Sequence, residues 1–115
     1  MPFVSIEDFY EQAGKLPRLT HEEEKHLALE KEHNAAARAE LIAGYLPFVA
    51  GYIRRMPKSL QNLRTVYTCL VSLEKEVDSF NFLRDGETFA HHLNRRLRQC
   101  ITYCMACETD LNIFR

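Results

Sequence analysis

No stretch of this sequence alternates apolar and polar residues for the length of a strand, and no apolar run approaches a membrane-spanning length. Glycine and proline are scarce, at four each. These absences exclude a β-rich fold and a spanning helix, and they predict an all-α protein. Catalytic signatures are missing too. There is no Gly-rich phosphate loop, no G-x-S-x-G and no H-E-x-x-H. No enzyme activity, cofactor or metal is therefore expected. The N-terminus lacks a basic segment followed by an apolar core, so no secretory signal is expected.

The chain has 115 residues, enough for one domain over 1–115 with a single modest core. Hydrophobic residues make up 46% and charged residues 27%, which is globular rather than disordered composition. The net charge is −1 but its distribution is uneven. Residues 1–34 hold eight acids (Glu7, Asp8, Glu11, Glu22, Glu23, Glu24, Glu30, Glu32) and four bases (Lys15, Arg18, Lys25, Lys31). That leaves 11 bases and 8 acids for residues 35–115. An acidic front and a basic back can offer separate surfaces to separate partners.

Local signals place the helices. Ser5 is an N-cap candidate with Asp8 three residues on, opening a helix over about Ile6 to Ala13. Gly14 suits a left-handed C′ position. Lys15 to Leu19, with Pro17, reads as an extended link. Thr20-His21-Glu22-Glu23 is a capping box for a second helix reaching about Glu32, and Glu22 to Glu24 suit the positive end of its dipole. Asn34 caps a third helix, about Ala35 to Met56, whose apolar spine is Leu41, Ile42, Tyr45, Leu46, Val49, Tyr52, Ile53 and Met56. Pro47 lies inside that pattern. A mid-helix proline costs about 3 kcal/mol, so a kink or break there is expected. Arg54 and Arg55 close the helix and Pro57 stops it. Ser59 caps a fourth helix, about Leu60 to Phe80. Asn81 to Gly86 is a loop with an Asp85-Gly86 turn, and the last helix runs from about Glu87 to Thr109. Leu111, Ile113 and Phe114 either tuck onto the bundle or fray.

The last helix carries the most information. Phe89, Leu93, Leu97, Cys100, Ile101, Cys104 and Met105 share one face by their three- and four-residue spacing. The other face carries His91, His92, Asn94, Arg95, Arg96, Arg98, Gln99 and Thr102, with three arginines and no acid. Gln and Thr side chains can hydrogen-bond base edges. This face therefore suits a helix laid on nucleic acid, or a solvated basic face on a structural helix.

The four cysteines are Cys69, Cys100, Cys104 and Cys107. Three lie within eight residues of one helix, where disulfide geometry is hard to reach, so a reduced, cytoplasmic protein is expected. On the apolar stripe they read as small hydrophobes, although i, i+4, i+7 spacing also admits a cysteine-bound metal. Adjacent His91 and His92 make a poor chelating pair. Most aromatics fall on core stripes, and Phe82, in the loop, is the exception.

In their order, these segments resemble the bacterial sigma-70 family. Ile6 to Glu24, IEDFYEQAGKLPRLTHEEE, is similar to region 1.2, with Tyr10, Ala13-Gly14, Pro17 and Leu19-Thr20-His21-Glu22-Glu23-Glu24 at the positions of its pattern. Ala37 to Arg55, ARAELIAGYLPFVAGYIRR, is similar to region 2.1. Ser59 to Phe80 stands where region 2.2 belongs. Phe89 to Thr102 is similar to the region 2.3–2.4 pattern F-S-T-Y-A-x-W-W-I-R-Q-A-I-T. The resemblance spans roughly residues 6 to 107.

This resemblance implies a compact bundle of about five helices like sigma region 2. It also implies association with core RNA polymerase through the β′ subunit and contact with promoter −10 DNA. Gln99 and Thr102 match the polar pair that reads duplex at the upstream edge of the −10 element, Arg98 matches the arginine before them, and Phe89 matches the aromatic that opens the melting motif. The stacking tyrosine corresponds to His92, and the tryptophan pair to Arg95 and Arg96. The polymerase-binding motif D-L-x-Q-E-G falls on Asn62-Leu63-Arg64-Thr65-Val66-Tyr67, so Asn62, Leu63, Thr65 and Val66 are the implied polymerase contacts. The segment around Tyr10 to Thr20 would lie near non-template DNA. No region 4 follows, so a separate region 4-like protein is the expected source of −35 recognition. Two other readings stay open. One is an interaction protein that occupies polymerase or a sigma partner without melting promoter DNA. The other is a structural helical domain with a cysteine-bound metal.

Overall fold

The computed structural model describes residues 3–82 and 86–113, with side chains described for 3–82, 86–103 and Met105. The described chain is all-α, without strands. Six α-helices follow in order: α1 (Ile6–Gly14), α2 (His21–Glu30), α3 (Ala35–Gly44), α4 (Leu46–Arg54), α5 (Leu63–Ser79) and α6 (Phe89–Ile113). A 3-10 turn at Lys58–Leu60 precedes α5. α5 lies against α6, α3 and α4, while α1 packs on α4 and α2 on α3. One hydrophobic core joins them, built on fully buried Phe9, Leu41, Ile53, Leu73, Leu93 and Leu97.

Capping chemistry fixes most of the helix starts. Ser5 Oγ accepts the Asp8 N–H at 3.0 Å. Thr20 and Glu23 form the reciprocal box: the Glu23 N–H donates to Thr20 Oγ1, and the Thr20 N–H donates to the Glu23 carboxylate. That hydrogen bond holds the Glu23 carboxyl below its ordinary pKa. Asn34 Oδ1 accepts from Ala36 and Ala37.

Several boundaries differ from expectation. The spine is not one helix. It breaks at Tyr45, and Pro47 sits in the first turn of α4, where its missing N–H needs no partner. Gly44 permits this corner by close approach, since a Cβ there would overlap the Leu19 side chain. α2 ends at Glu30, two residues short, and the His33 N–H closes the turn on the Glu30 carbonyl. Ser59 does not cap α5; Asn62 does, its Oδ1 accepting the Thr65 N–H at 3.0 Å. The intervening turn buries Leu60. Gly14 stays inside α1 and Lys15 caps it in the right-handed region. The only positive φ among the described residues is at Gly86, 121°, where the chain turns into α6. That helix begins at Phe89 rather than Glu87, because Thr88 Oγ1 accepts the His91 N–H. It continues to Ile113. Asp85, Phe114 and the side chains of Leu111 and Ile113 lie outside what is described.

Candidate nucleic-acid interface

The site is the polar face of α6 together with the elements beneath it. Phe89 lies inward, 2% exposed, in an aromatic cluster with ring centroids 4.8 Å from Tyr45, 4.7 Å from Phe82 and 5.3 Å from Phe80. Phe82 thus joins the core from the loop, and the Lys31 ammonium sits over its ring. Tyr45 donates to the Glu24 carboxylate at 2.6 Å. Burial and that acidic partner push the Tyr45 hydroxyl well above its ordinary pKa.

His92 points toward α5. Its Nε2 is 2.6 Å from Glu76 Oε2, and its ring lies 4.8 Å from Phe80. Its Nδ1 is 3.2 Å from Arg95 Nη2. The pattern is complete with the proton on Nε2, donated to Glu76, and Nδ1 accepting from Arg95. Arg95 also donates twice to the Glu87 carboxylate, at 2.6 and 3.3 Å. Arg96 Nε lies 3.5 Å from the second Glu76 oxygen, and Arg96 Nη1 donates to Gln99 Oε1 at 3.2 Å. Glu76, Glu87, His92, Arg95 and Arg96, with Ser79, Phe80, Asn81 and Gly86, line a cleft of about 580 Å³.

The face with no acid of its own therefore has acids supplied to it. Glu76 comes from α5 and Glu87 from the turn before α6. Sequence reasoning missed both. Glu76 could have been found, since it lies between Leu73 and Val77 on the buried stripe of α5, where a carboxylate needs a partner. Glu87 is four residues before His91, and nothing in its spacing singles out Arg95.

Arg98, Gln99 and Thr102 are exposed on the outer side of α6. They share that side with Arg95 by helical spacing. Thr102 Oγ1 donates to the Arg98 carbonyl at 2.9 Å and also retains acceptor capacity. These three stay available to a ligand. Phe89 and His92 are not presented outward.

The implied polymerase contacts are placed differently from a docking motif. Asn62 is the α5 cap, Leu63 is half-buried against the core, Thr65 is 3% exposed and Val66 is fully buried. The outward face of α5 instead carries Tyr67 and Val71, beside a shallow groove of about 230 Å³ shared with Ile42, Leu70 and Glu74. In the front segment, the Tyr10 hydroxyl donates to Gln61 Oε1 at 2.8 Å, and the Arg54 guanidinium lies 4.5 Å from its ring centroid.

Cys69 is fully buried and Cys100 half-buried. The Cys104 and Cys107 side chains lie outside the described set. Among the described residues, no three His, Cys, Asp or Glu side chains converge to hold a metal. Among the same residues, no helix is long and apolar enough to cross a membrane. Comparison with family models, with curated proteins and with solved structures finds no match to this chain.

Proposed function

We propose that this chain is a sigma-like transcription protein that associates with core RNA polymerase and contacts promoter −10 DNA in duplex form. The observation that carries the reading is the joint exposure of Arg98, Gln99 and Thr102 on one side of α6. A guanidinium can neutralise phosphate, while Gln and Thr can hydrogen-bond base edges in the major groove. The sequence resemblance supplies the partner and the register, and the helix order α1 to α6 is compatible with it. The compartment in this reading is the cytoplasm.

A second reading is favoured by a different observation. Single-strand capture depends on stacking platforms, yet Phe89 is buried and His92 is packed under Phe80 and bonded to Glu76. In that reading the protein occupies polymerase or a sigma partner without melting promoter DNA.

One experiment separates the two. Core polymerase with this protein is mixed with a duplex containing a −10 element, and Gln99→Ala is compared with wild type. The first reading expects a DNA-dependent complex that Gln99→Ala weakens by about tenfold, in line with one lost base contact. Retained polymerase binding without any DNA-dependent complex would favour the second.

A further inference from the structure

Two basic side chains, Arg95 and His91, meet one carboxylate at the start of α6. Arg95 donates two hydrogen bonds to Glu87. His91 Nε2 lies 3.8 Å from one Glu87 oxygen, and His92 Nδ1 buttresses Arg95 from behind by accepting from its Nη2 at 3.2 Å. The fork-on-fork geometry of guanidinium and carboxylate is the same one that guanidinium adopts on phosphate oxygens. We propose that Glu87 is the internal occupant of a phosphodiester site, formed by Arg95 with His91, and that it masks this site in the free protein. The inference rests on the duplex-contact reading of α6 and extends it to how that contact is regulated.

Several features fit a mask that can leave. Glu87 stands outside the helix, so its departure breaks no helical hydrogen bond, and Thr88 keeps the α6 cap. It follows Gly86, whose positive φ marks the turn that leads into α6. Arg95 is 51% and Glu87 30% exposed, so a competing anion can approach. Exposed pairs of this kind hold weakly and are screened by salt. The site also continues the outer track: Arg95, Arg98, Gln99 and Thr102 lie at i, i+3, i+4 and i+7. A DNA backbone running along this track reaches Arg95 once Glu87 has swung away. Glu76 plays no part in the exchange, since it is buried and holds His92 and Arg96 from below.

The test uses the full chain and a short mixed-sequence DNA duplex, with affinity measured by fluorescence anisotropy across a salt series. Glu87→Gln is expected to bind several-fold more tightly and to steepen the slope of log K against log salt by about 0.9, one phosphate contact. Adding Arg95→Ala to Glu87→Gln should remove both gains. Circular dichroism checks that both variants keep the helical content of the wild type, and Glu87→Ala serves as a second unmasking variant. Unchanged affinity and slope in both Glu87 variants overturn the mask. So does a gain that survives Arg95→Ala, because the released charge would then lie elsewhere. The duplex-reading proposal fails separately. If Gln99→Ala leaves the polymerase–promoter complex intact while Glu87→Gln still shows its Arg95-dependent gain, the phosphate site stands and the base-reading role falls.

Discussion

His92 Nε2 lies 2.6 Å from Glu76 Oε2, with the two side chains 13% and 9% exposed. This contact ties α6 to α5 through a buried polar pair. Removing Glu76 leaves the buried His92 Nε2–H without its acceptor, and removing His92 leaves one Glu76 oxygen without its donor, each costing about 1–3 kcal/mol, whereas removing both leaves neither buried group behind. Glu76→Ala and His92→Ala are each expected to destabilise the fold in that range, and the double variant by clearly less than their sum. A double-mutant cycle in urea measures this. Additive losses would show that the pair does not act as a unit.

Asn62 closes the first turn of α5. Asn62→Ala should cost about 1 kcal/mol, while Asn62→Ser should retain most of the stability, because a hydroxyl can accept the same N–H. Urea midpoints distinguish the two. Equal losses would mean that the Asn62 side chain matters for something other than the cap.

Gly44 and Leu19 share space that a methyl group would fill. Gly44→Ala is expected to destabilise by about 1–3 kcal/mol through overpacking. Adding Leu19→Ala should recover part of that loss, as contacting sites couple. Thermal melting of the three variants tests it, and an unperturbed Gly44→Ala melt would contradict the close approach.

Arg38 grips Asp78 with two hydrogen bonds, at 2.7 and 2.9 Å. The guanidinium holds the Asp78 carboxyl below its ordinary pKa. A depressed folded-state pKa means that the contribution is fully present above the unfolded-state value and is lost as pH falls through the folded one. Both side chains are substantially exposed, so the contribution at neutral pH is only about 0.5 kcal/mol. Asp78→Asn should therefore lower stability slightly at neutral pH and match the wild type in strong acid. A stability difference that stays constant across that range would refute the assignment.

What could be read from the chain was local. The Thr20–Glu23 box and the Asn34 cap need only neighbouring residues, and both formed where their spacing put them. The break in the spine was signalled by Pro47, but the corner also required Gly44 to admit Leu19, twenty-five positions away. Ser59 and Asn62 are both good caps, and the turn between them carries Leu60 into the core. For α6, periodicity identified the basic face and the buried one through Phe89, Leu93, Leu97 and Ile101, although it also placed on that stripe Met105, which is exposed because the described core ends at Ile101 along this helix. It could not show that Glu76 would rise from another helix to meet His92 and Arg96, because that pairing exists only once α5 and α6 are packed.

The Tyr45 ring meets Phe89 edge-on while its hydroxyl holds Glu24. The acidic front of the chain is thereby bolted to the first turn of the basic helix, and Lys31 adds a second fastening through Phe82 and the Val77 carbonyl. The two charged halves are consequently not detachable modules. Loss of the Tyr45 hydroxyl or of the Phe82 ring would therefore loosen α6 as well as the front of the chain.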